Sequence, residues 1–252
     1  MASLRKSDLQ AALGVAADMA DAGADAALFA RLGVESLPRA VASEITTLSI
    51  CDLASNRRHV VGCAASRLGD EDRACFDRHF AEHPLVRFHA QMRGTGAHRI
   101  SDSLPFGRFR HTALYSDYYR RIGIDHVVAV PIAVDPRTLV SFVLNRKHRD
   151  FSDREVELLD AIGGLLSRQY RHVREASPSP GAWLLGTAAA ALTPREREVL
   201  RWVAAGKTDR DIAELLGCGH RTVHKHLERS YAKLGVETRT AAVMRAFGVT
   251  LP

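Results

Sequence analysis

The hydrophobic positions between residues 45 and 146 follow a strand pattern that occurs twice. The runs "ITTLSICDL" and "HVVGCAA" are rich in β-branched residues and are joined by the polar turn "ASNRR". The runs "DHVVAVPIAV" and "TLVSFVLN" repeat this arrangement around the turn "DPR". Short apolar runs that flank a polar turn predict β-hairpins. Helical patterns precede, separate and follow the hairpins, so we expect an α/β (α+β) domain whose mixed or antiparallel sheet carries helices on its faces.

A stretch rich in proline, glycine and small residues interrupts the helical patterns of the C-terminal half. The helix before this stretch begins after Ser152, and its apolar stripe at helical spacing consists of Val156, Leu159, Ile162, Leu165, Leu166 and Tyr170. The stretch itself, "ASPSPGAWLLGTAAAA", covers residues 176–191 and is typical of an interdomain linker. The sequence therefore predicts a domain at 1–175, a linker at 176–191 and a second domain at 192–252.

The pattern after the linker predicts an all-α domain of four short helices. The first starts at "TPRE", where Thr193 and Glu196 have the spacing of a capping box, and the second starts at Thr208 with Asp211 in the reciprocal position. Glycines mark a sharp turn before the third helix, and "ETRTAAVMRAFG" supplies the fourth. Two sets of side chains are expected to face inward, Ile212, Ala213, Leu215 and Leu216 on the second helix and Val223, Leu227, Tyr231 and Leu234 on the third. Short helices with a glycine turn before the third are typical of a helix-turn-helix.

The distribution of charge indicates what the third helix binds. The chain has a formal net charge of +6, and residues 190–252 hold 11 Lys+Arg against 7 Asp+Glu, which places +4 of it there. If the apolar side of the third helix is buried, the opposite side presents Arg221, His224, Lys225, Glu228, Arg229 and Ala232. Lysine and arginine neutralise phosphates or bind guanine edges, and glutamate accepts a hydrogen bond from cytosine. We therefore expect double-stranded DNA as a partner, with His224, Lys225 and Glu228 in the groove and Thr208, Arg221, Thr222 and Arg229 at phosphates.

The segment "LTPREREVLRWVAAGKTDRDIAELLGCGHRTVHKHLERSYAKLGVETRTAAV" resembles the LuxR-type helix-turn-helix of bacterial transcription regulators. The resemblance implies that the third helix enters the major groove and that the fourth contributes a dimer contact. Three positions depart from the family pattern. Gly219 replaces the usual Ser cap of the third helix, and His224 replaces a common Lys. Asp211 replaces the usual Glu of the second capping box, so its return hydrogen bond is not expected to form well.

The end of the first domain, "DHVVAVPIAVDPRTLVSFVLNRKHRDFSDREVELLDAI", resembles the end of a GAF-type sensory domain. A GAF-like fold implies a pocket between the sheet and the segment that covers it. Aromatic residues of that segment are the candidate ligand contacts, with plain core packing as the alternative for each: Phe106, Tyr115, Tyr118 and Tyr119. Among LuxR-type regulators, the acyl-homoserine-lactone sensors carry tryptophans in the sensory half. In this chain Trp183 lies in the linker and Trp202 in the second domain, which argues against an acyl-homoserine lactone as the ligand.

Other functional classes have weaker support in the sequence. No Walker loop, GxSxG elbow or GxGxxG motif is present, so we expect no enzyme, no catalytic residue and no cofactor. His79 and His83 have metal-ligand spacing, but no HExxH motif and no cysteine close in sequence completes a site, and the four cysteines lack CxxC spacing. A redox- or metal-responsive regulator and a ligand-free dimerisation module remain the alternatives to a small-molecule sensor.

The expected setting is the cytoplasm. No apolar run approaches the ~20 residues of a membrane span, and acidic residues interrupt the alanine-rich N-terminal segment, which argues against a signal peptide. The sequence therefore predicts a cytoplasmic, homodimeric transcription regulator that responds to an unidentified small molecule and contacts no membrane.

Overall fold

The computed structural model describes residues 4–61, 70–91, 94–176 and 192–247. The chain divides into two compact units, Met1–Val173 and Arg174–Pro252. Residues 177–191 of the predicted linker, Cys63, Trp183 and residues 248–252 lie outside the described ranges.

The N-terminal unit is built on a five-stranded antiparallel sheet with the strand order β2-β1-β5-β4-β3. The strands are β1 Ile45–Asp52, β2 Arg57–Val61, β3 His98–Arg99, β4 His126–Val134 and β5 Thr138–Arg146. Both predicted hairpins are confirmed, because β1 pairs with β2 and β4 pairs with β5. Residues 62–65 of the predicted second strand lie outside the described ranges. The two-residue β3 was not predicted, since it is too short to show an alternating pattern.

Four longer helices accompany the sheet: α1 Lys6–Ala20, α2 Ala26–Ala40, α3 Asp70–Arg78 and α4 Asp153–Ala176. Helices α2 and α4 cover one face, where Phe142 of β5 packs against Phe29 and Phe29 contacts Tyr170. The close approach of α4 depends on a glycine. A Cβ at Gly163 would come within 2.9 Å of Val130 Cγ1 on β4.

The opposite face is covered by α3 and by short helical segments. These are Phe80–Glu82, Pro84–Val86, Ile100–Ser103 and Phe106–Phe109, with π-helical turns at Arg87–Gln91 and Tyr115–Tyr119. Their buried side chains form one hydrophobic cluster with residues of the strands, including Cys51, Ala129 and Leu139. Short helical segments therefore cover this face of the sheet.

One position of the predicted apolar stripe on α4 was wrong. Leu165 is 41% exposed, whereas Leu159, Ile162 and Leu166 are buried. Leu9 and Leu13 on α1 are also exposed, at 54% and 68%. The N-terminal unit thus leaves three leucines of α1 and α4 in contact with solvent.

The C-terminal unit consists of helices in its described part: α5 Pro194–Ala204, α6 Asp209–Leu215, α7 His220–Leu234 and α8 Arg239–Phe247. Its core joins all four through buried side chains such as Val199, Leu200, Ile212, Val223 and Ala242. Within the described ranges, none of the protein's helices combines the length and the apolar character that crossing a bilayer requires.

Both predicted capping boxes are present in this unit. Thr193 caps α5 reciprocally with Glu196, and Thr208 caps α6 reciprocally with Asp211. The expectation that Asp211 would not return its bond was wrong, since the Thr208 backbone N–H donates to Asp211 Oδ2 over 2.9 Å. The inward orientation expected for Leu215 was also wrong, because this last residue of α6 is 52% exposed.

Candidate nucleic-acid interface and sensory cavity

Helix α7 has one buried side and one exposed side. Val223, Leu227 and Leu234 are 0%, 2% and 3% exposed, as their spacing predicted. Ser230 is also fully buried, and its hydroxyl donates to the His226 carbonyl oxygen over 2.8 Å. A serine gives no apolar signal, so its burial was not predicted.

The exposed side of α7 carries all the residues predicted to lie there. We call this set the recognition face: Arg221, His224, Lys225, Glu228, Arg229 and Ala232. His224 Nε2 lies 3.5 Å from Glu228 Oε1, one helical turn away, and both side chains remain about two-thirds exposed, at 63% and 65%. Thr222 at the start of α7 and Thr208 at the cap of α6 are exposed as well. Most of the recognition face is thus open and basic in the described structure.

Two ion pairs fix α7 and its neighbours. Lys233 near the end of α7 donates to Glu196 Oε2 over 2.7 Å, and the same oxygen accepts the Thr193 backbone N–H. Burial raises the pKa of Glu196, but the bonds from Lys233 and Thr193 outweigh it and hold the pKa below its usual value. Arg239 of α8 pairs with Asp209 of α6. The helix that bears the recognition face is therefore tied to the helices around it by charge as well as by apolar packing.

The ends of α7 are set by glycines. Gly219 occupies the N-cap with extended backbone and supplies no side-chain hydrogen bond, as the departure from the family pattern predicted. Gly235 ends the helix at φ 62°, in the left-handed region that favours glycine. The start of α7 therefore lacks the hydrogen bond that a Ser side chain at the cap would supply.

The N-terminal unit contains a small cavity between the sheet and its covering segments, which we call the sheet cavity. Its volume is about 30 Å³, room for about two water molecules. Apolar side chains form much of its wall, and the residues with polar groups are Ser49, Arg58, His83, His89, Tyr119 and Ser141. His89 and Tyr119 both lie on the π-helical turns, which are frequent at functional sites.

Three buried polar atoms of the sheet cavity have no hydrogen-bond partner among the described residues. They are Arg58 Nε, His89 Nε2 and Ser141 Oγ, on side chains of residues that are 8%, 0% and 3% exposed. An unpartnered buried polar group is costly, and its presence in a native structure calls for an explanation. Because the residues that bear all three atoms line one cavity, the sheet cavity is a candidate ligand site.

The two buried histidines of the cavity are neutral. Burial lowers the pKa of His83 to about 3, with a further contribution from the charge of Arg58, and burial lowers the pKa of His89 to about 4. His83 Nδ1 accepts the Leu85 backbone N–H, so its Nε2 carries the proton and donates to the Tyr119 hydroxyl oxygen over 2.6 Å. His89 Nδ1 donates to the Gly94 carbonyl oxygen over 2.8 Å, which leaves Nε2 as a free acceptor.

The four predicted ligand contacts occupy different places. Tyr119 lines the sheet cavity, and the Tyr118 hydroxyl accepts a 2.6 Å hydrogen bond from Arg58 Nη2. The Tyr115 hydroxyl donates to Asp125 Oδ1 over 2.6 Å, and Phe106 lines a separate hollow of about 10 Å³. The structure therefore brings only Tyr119 of the four to the wall of the sheet cavity.

Sequence reasoning missed Arg58, His89 and Ser141 as cavity residues. The sequence pattern places Arg58 in a polar turn, but it pairs with Cys51 in the register of β1 and β2 and therefore shares the inner face of the sheet. The strand register could have identified Arg58 as a cavity residue. A shift of the register by one residue moves each side chain of the strand to the opposite face of the sheet.

The histidine and cysteine chemistry considered from the sequence finds no shared site. His79 lies 2.9 Å from Asp117, whereas His83 bonds Tyr119, so the two rings turn to different partners. No group of three or more His, Cys, Asp or Glu side chains in the described ranges is placed to hold a metal ion. Burial raises the pKa of Cys51 to about 12, which keeps this cavity thiol protonated.

The family of bacterial regulatory proteins of the LuxR type matches residues 190–246. This range contains the capped helices, the glycine turn and the whole recognition face. The C-terminal unit is a LuxR-type helix-turn-helix domain.

Relatives of this LuxR-type domain are named as regulators and not as enzymes. The transcriptional activator AnoR of Acinetobacter nosocomialis is 49% identical over 55 residues, which are 22% of this chain and 23% of AnoR. The transcriptional activator BjaR1 of Bradyrhizobium diazoefficiens is 34% identical over 99 residues, which are 39% of this chain and 38% of BjaR1. The chain thus spans well under half the length of these two relatives.

A solved structure similar to the part of the chain outside the LuxR-type domain is the VqsR LBD domain from Pseudomonas aeruginosa. The likeness covers 65% of this chain and 97% of that domain, with 17% sequence identity and a TM-score of 0.48.

Proposed function

We propose that this chain is a cytoplasmic, DNA-binding transcription regulator whose LuxR-type domain inserts α7 into the major groove. The observation that carries the proposal is the two-sided character of α7. Its aliphatic residues are buried, and its basic recognition face is exposed in a domain whose relatives are named transcriptional activators. A helix of this kind, preceded by a glycine turn and a capped second helix, has the geometry that major-groove docking requires.

The proposed contacts follow from the chemistry of each exposed side chain. His224, Lys225 and Glu228 lie on one side of α7 and would reach base edges, with Glu228 accepting from cytosine. Arg221, Thr222, Arg229 and the α6 cap Thr208 would contact phosphates and set the register. The pair between His224 and Glu228 would hold both side chains in place before DNA binds.

We further propose that residues 1–175 form a GAF-like sensory domain, joined by a linker at 176–191 to the LuxR-type domain at 192–252. Support for a sensor comes from the sheet cavity and its three unpartnered polar atoms. A redox-responsive regulator has less support, because burial keeps the Cys51 thiol protonated.

The regulator is proposed to act as a homodimer. Leu9 and Leu13 are one helical turn apart on α1 and are exposed, and Leu165 is exposed on α4, which lies beside α1. Exposed leucines grouped on adjacent helices are the kind of apolar surface that mediates association. Two LuxR-type domains could then contact half-sites about one turn of DNA apart.

The test of DNA binding is the salt dependence of affinity for the bound DNA sequence, identified by mapping protein–DNA contacts in cells. Lys225→Ala should weaken binding and reduce the salt slope, because it removes a cation that lies among the phosphates of the groove and displaces counterions when DNA binds. His224→Lys adds a cation to the same face and should strengthen binding.

The matched control is Lys147→Ala, which removes an exposed lysine of the N-terminal unit. Its affinity and salt slope should equal those of the unmodified protein. An unchanged slope in Lys225→Ala would remove this residue from the interface, and a chain that binds no DNA would refute the proposed function.

A further inference from the structure

Arg58 is a buried cation without a matching anion. Its guanidinium is stacked on Phe76, with Cζ 3.5 Å from the ring centroid, and Nη2 donates to the Tyr118 hydroxyl. Among the described residues, no carboxylate forms a salt bridge with this guanidinium, and Asp77 accepts only the backbone N–H of Arg58. Buried charges in proteins are normally paired, because removing them from water is costly.

Arg58, whose Nε is unpartnered, lines the sheet cavity together with other residues of known polarity. The Tyr119 oxygen accepts from His83, so its hydroxyl hydrogen is available to donate. His89 Nε2 is a free acceptor, and Ser141 Oγ can donate or accept. The cavity therefore offers a cationic donor and a hydroxyl donor for an anion, and an acceptor for a hydroxyl or N–H beside it.

We propose that the sheet cavity binds the carboxylate of a small organic acid, with Arg58 as its counter-ion and His89 and Ser141 as partners of an adjacent hydroxyl or N–H group. The volume of about 30 Å³ fits a group the size of a carboxylate, and larger parts of a ligand would lie outside it. This inference rests on the proposed function in that the acid would be the sensed signal, and it names the chemical class of that signal.

The proposal supplies a counter-ion for a buried guanidinium that forms no salt bridge with the described residues. A buried guanidinium without a counter-ion lowers the stability of the folded protein. Functional sites often carry such a cost because the group is needed for binding. Replacing Arg58 by an apolar side chain of similar length should therefore leave the empty protein as stable as before or more stable, and should abolish its response to carboxylates.

The experiment measures thermal unfolding of the full chain by calorimetry with small probes. Formate, acetate and glycolate are compared with their neutral amides, formamide, acetamide and glycolamide, at constant ionic strength. A ligand of four non-hydrogen atoms has a Kd no tighter than about 0.05 mM, so the probes are used at about 10 mM. If the Kd of an acid is about 1 mM, the probe is in tenfold excess over it. The acid should then raise the Tm of the N-terminal unit by about 3 °C, and its amide should not.

Variants locate the effect. Arg58→Met should lose the response to acetate, whereas Arg137→Met, which replaces an exposed arginine of the β4–β5 turn, should keep it. Ser141→Ala removes an unpartnered hydroxyl, so it should fold normally and weaken glycolate binding several-fold. If Arg58→Met does not fold, two other measurements test the proposal. These are the difference between acids and amides in the unmodified protein and the glycolate affinity of Ser141→Ala.

Several outcomes would overturn the proposal. Equal effects of acetate and acetamide, an equal effect of chloride at the same concentration, or a full response in Arg58→Met would each do so. Loss of folding in Ser141→Ala would show that this hydroxyl has a structural role. DNA binding is measured separately, so the two proposals can fail independently. A protein that binds DNA but shows no response to carboxylates refutes this inference alone. A protein that responds to carboxylates but binds no DNA refutes the proposed DNA-binding function alone.

Discussion

Glu196 is the buried charged side chain in the described part of the LuxR-type domain. The side chain is nearly inaccessible to solvent, and a single oxygen accepts hydrogen bonds from Lys233 and from the backbone of Thr193. It therefore joins the cap of α5 to the end of α7. A change here should act on stability first and on DNA binding only through the position of α7.

We predict that Glu196→Gln lowers the free energy of unfolding of the C-terminal unit by about 2 kcal/mol. The neutral amide leaves Lys233 without its counter-ion, and the loss is smaller than for a fully buried pair because Lys233 is partly exposed. Urea unfolding followed by Trp202 fluorescence measures the change. The control is Glu198→Gln, which breaks an exposed pair with Arg195 and should cost at most about 1 kcal/mol.

The pH dependence of the same pair has a definite sign. Because the folded-state pKa of Glu196 lies below its unfolded value, its contribution to stability is present above the unfolded pKa and is lost as pH falls through the folded pKa. Glu196→Gln should therefore flatten the acid side of the stability profile. Equal acid sensitivity in the variant and the unmodified protein would contradict this assignment.

At the residue scale, the sequence predicts what has a local cause. The capping pair of Thr193 and Glu196 and the buried spacing of Val223, Leu227 and Leu234 follow from positions three, four or seven apart on one helix. The bond between Glu196 and Lys233 and the inward orientation of Arg58 depend on elements that meet only in the folded chain. No local pattern contains that information.

At the element scale, Gly163 and Gly164 form a matched pair on α4. A Cβ at Gly163 would meet Val130 Cγ1 of β4 at 2.9 Å, whereas a Cβ at Gly164 would meet nothing within 4 Å. Gly163 therefore allows the helix to approach the sheet, and Gly164 carries only the helix-propensity cost of glycine.

We predict opposite effects for the two alanine substitutions. Gly163→Ala should destabilise the N-terminal unit by about 1–3 kcal/mol through overpacking against Val130. Gly164→Ala should stabilise it by about 0.5–1 kcal/mol, because alanine loses less conformational entropy in a helix. Urea unfolding curves of the two variants measure both signs, and a stabilising Gly163→Ala would show that α4 does not approach the sheet so closely.

The elements themselves were predictable to the extent that they have a repeating pattern. The helices of the C-terminal unit show a period of 3.6 residues, and the two hairpins show runs of β-branched residues around a polar turn, so both were predicted. Strand β3 and the π-helical turns at Arg87–Gln91 and Tyr115–Tyr119 have no such period. The errors at Leu165 and Leu215 arose because apolar spacing identifies a helix face but not what covers it.

At the scale of the whole molecule, association is the first property to test. We predict that the protein sediments as a dimer and that Leu13→Glu weakens the dimer at least about tenfold, since a charge would replace an apolar contact at the α1 surface. The control, Gln10→Glu, adds the same charge at another exposed position of α1. Leu13→Glu with an unchanged dimer constant would exclude this surface as the interface.

Acid should act unequally on the two units. His83 and His89 are buried and neutral in the N-terminal unit, with pKa values lowered by burial to about 3 and about 4. Their unfolded value is about 6.5, so the unfolded chain binds more protons than the folded chain below that pH. The stability of the N-terminal unit should therefore be complete above about pH 6.5 and should fall as the pH decreases toward about 4.

The C-terminal unit should resist acid over the upper part of the same range. Its buried carboxylate, Glu196, has a lowered pKa and keeps its charge until the pH falls below its usual value. Calorimetry between about pH 7 and about pH 5 should thus show one transition that moves to lower temperature and one that moves less. His89→Gln should reduce the shift of the first transition, whereas the exposed His148→Gln should leave it unchanged. If the LuxR-type domain melts first on acidification, the buried neutral histidines are not what limits the acid stability of this protein.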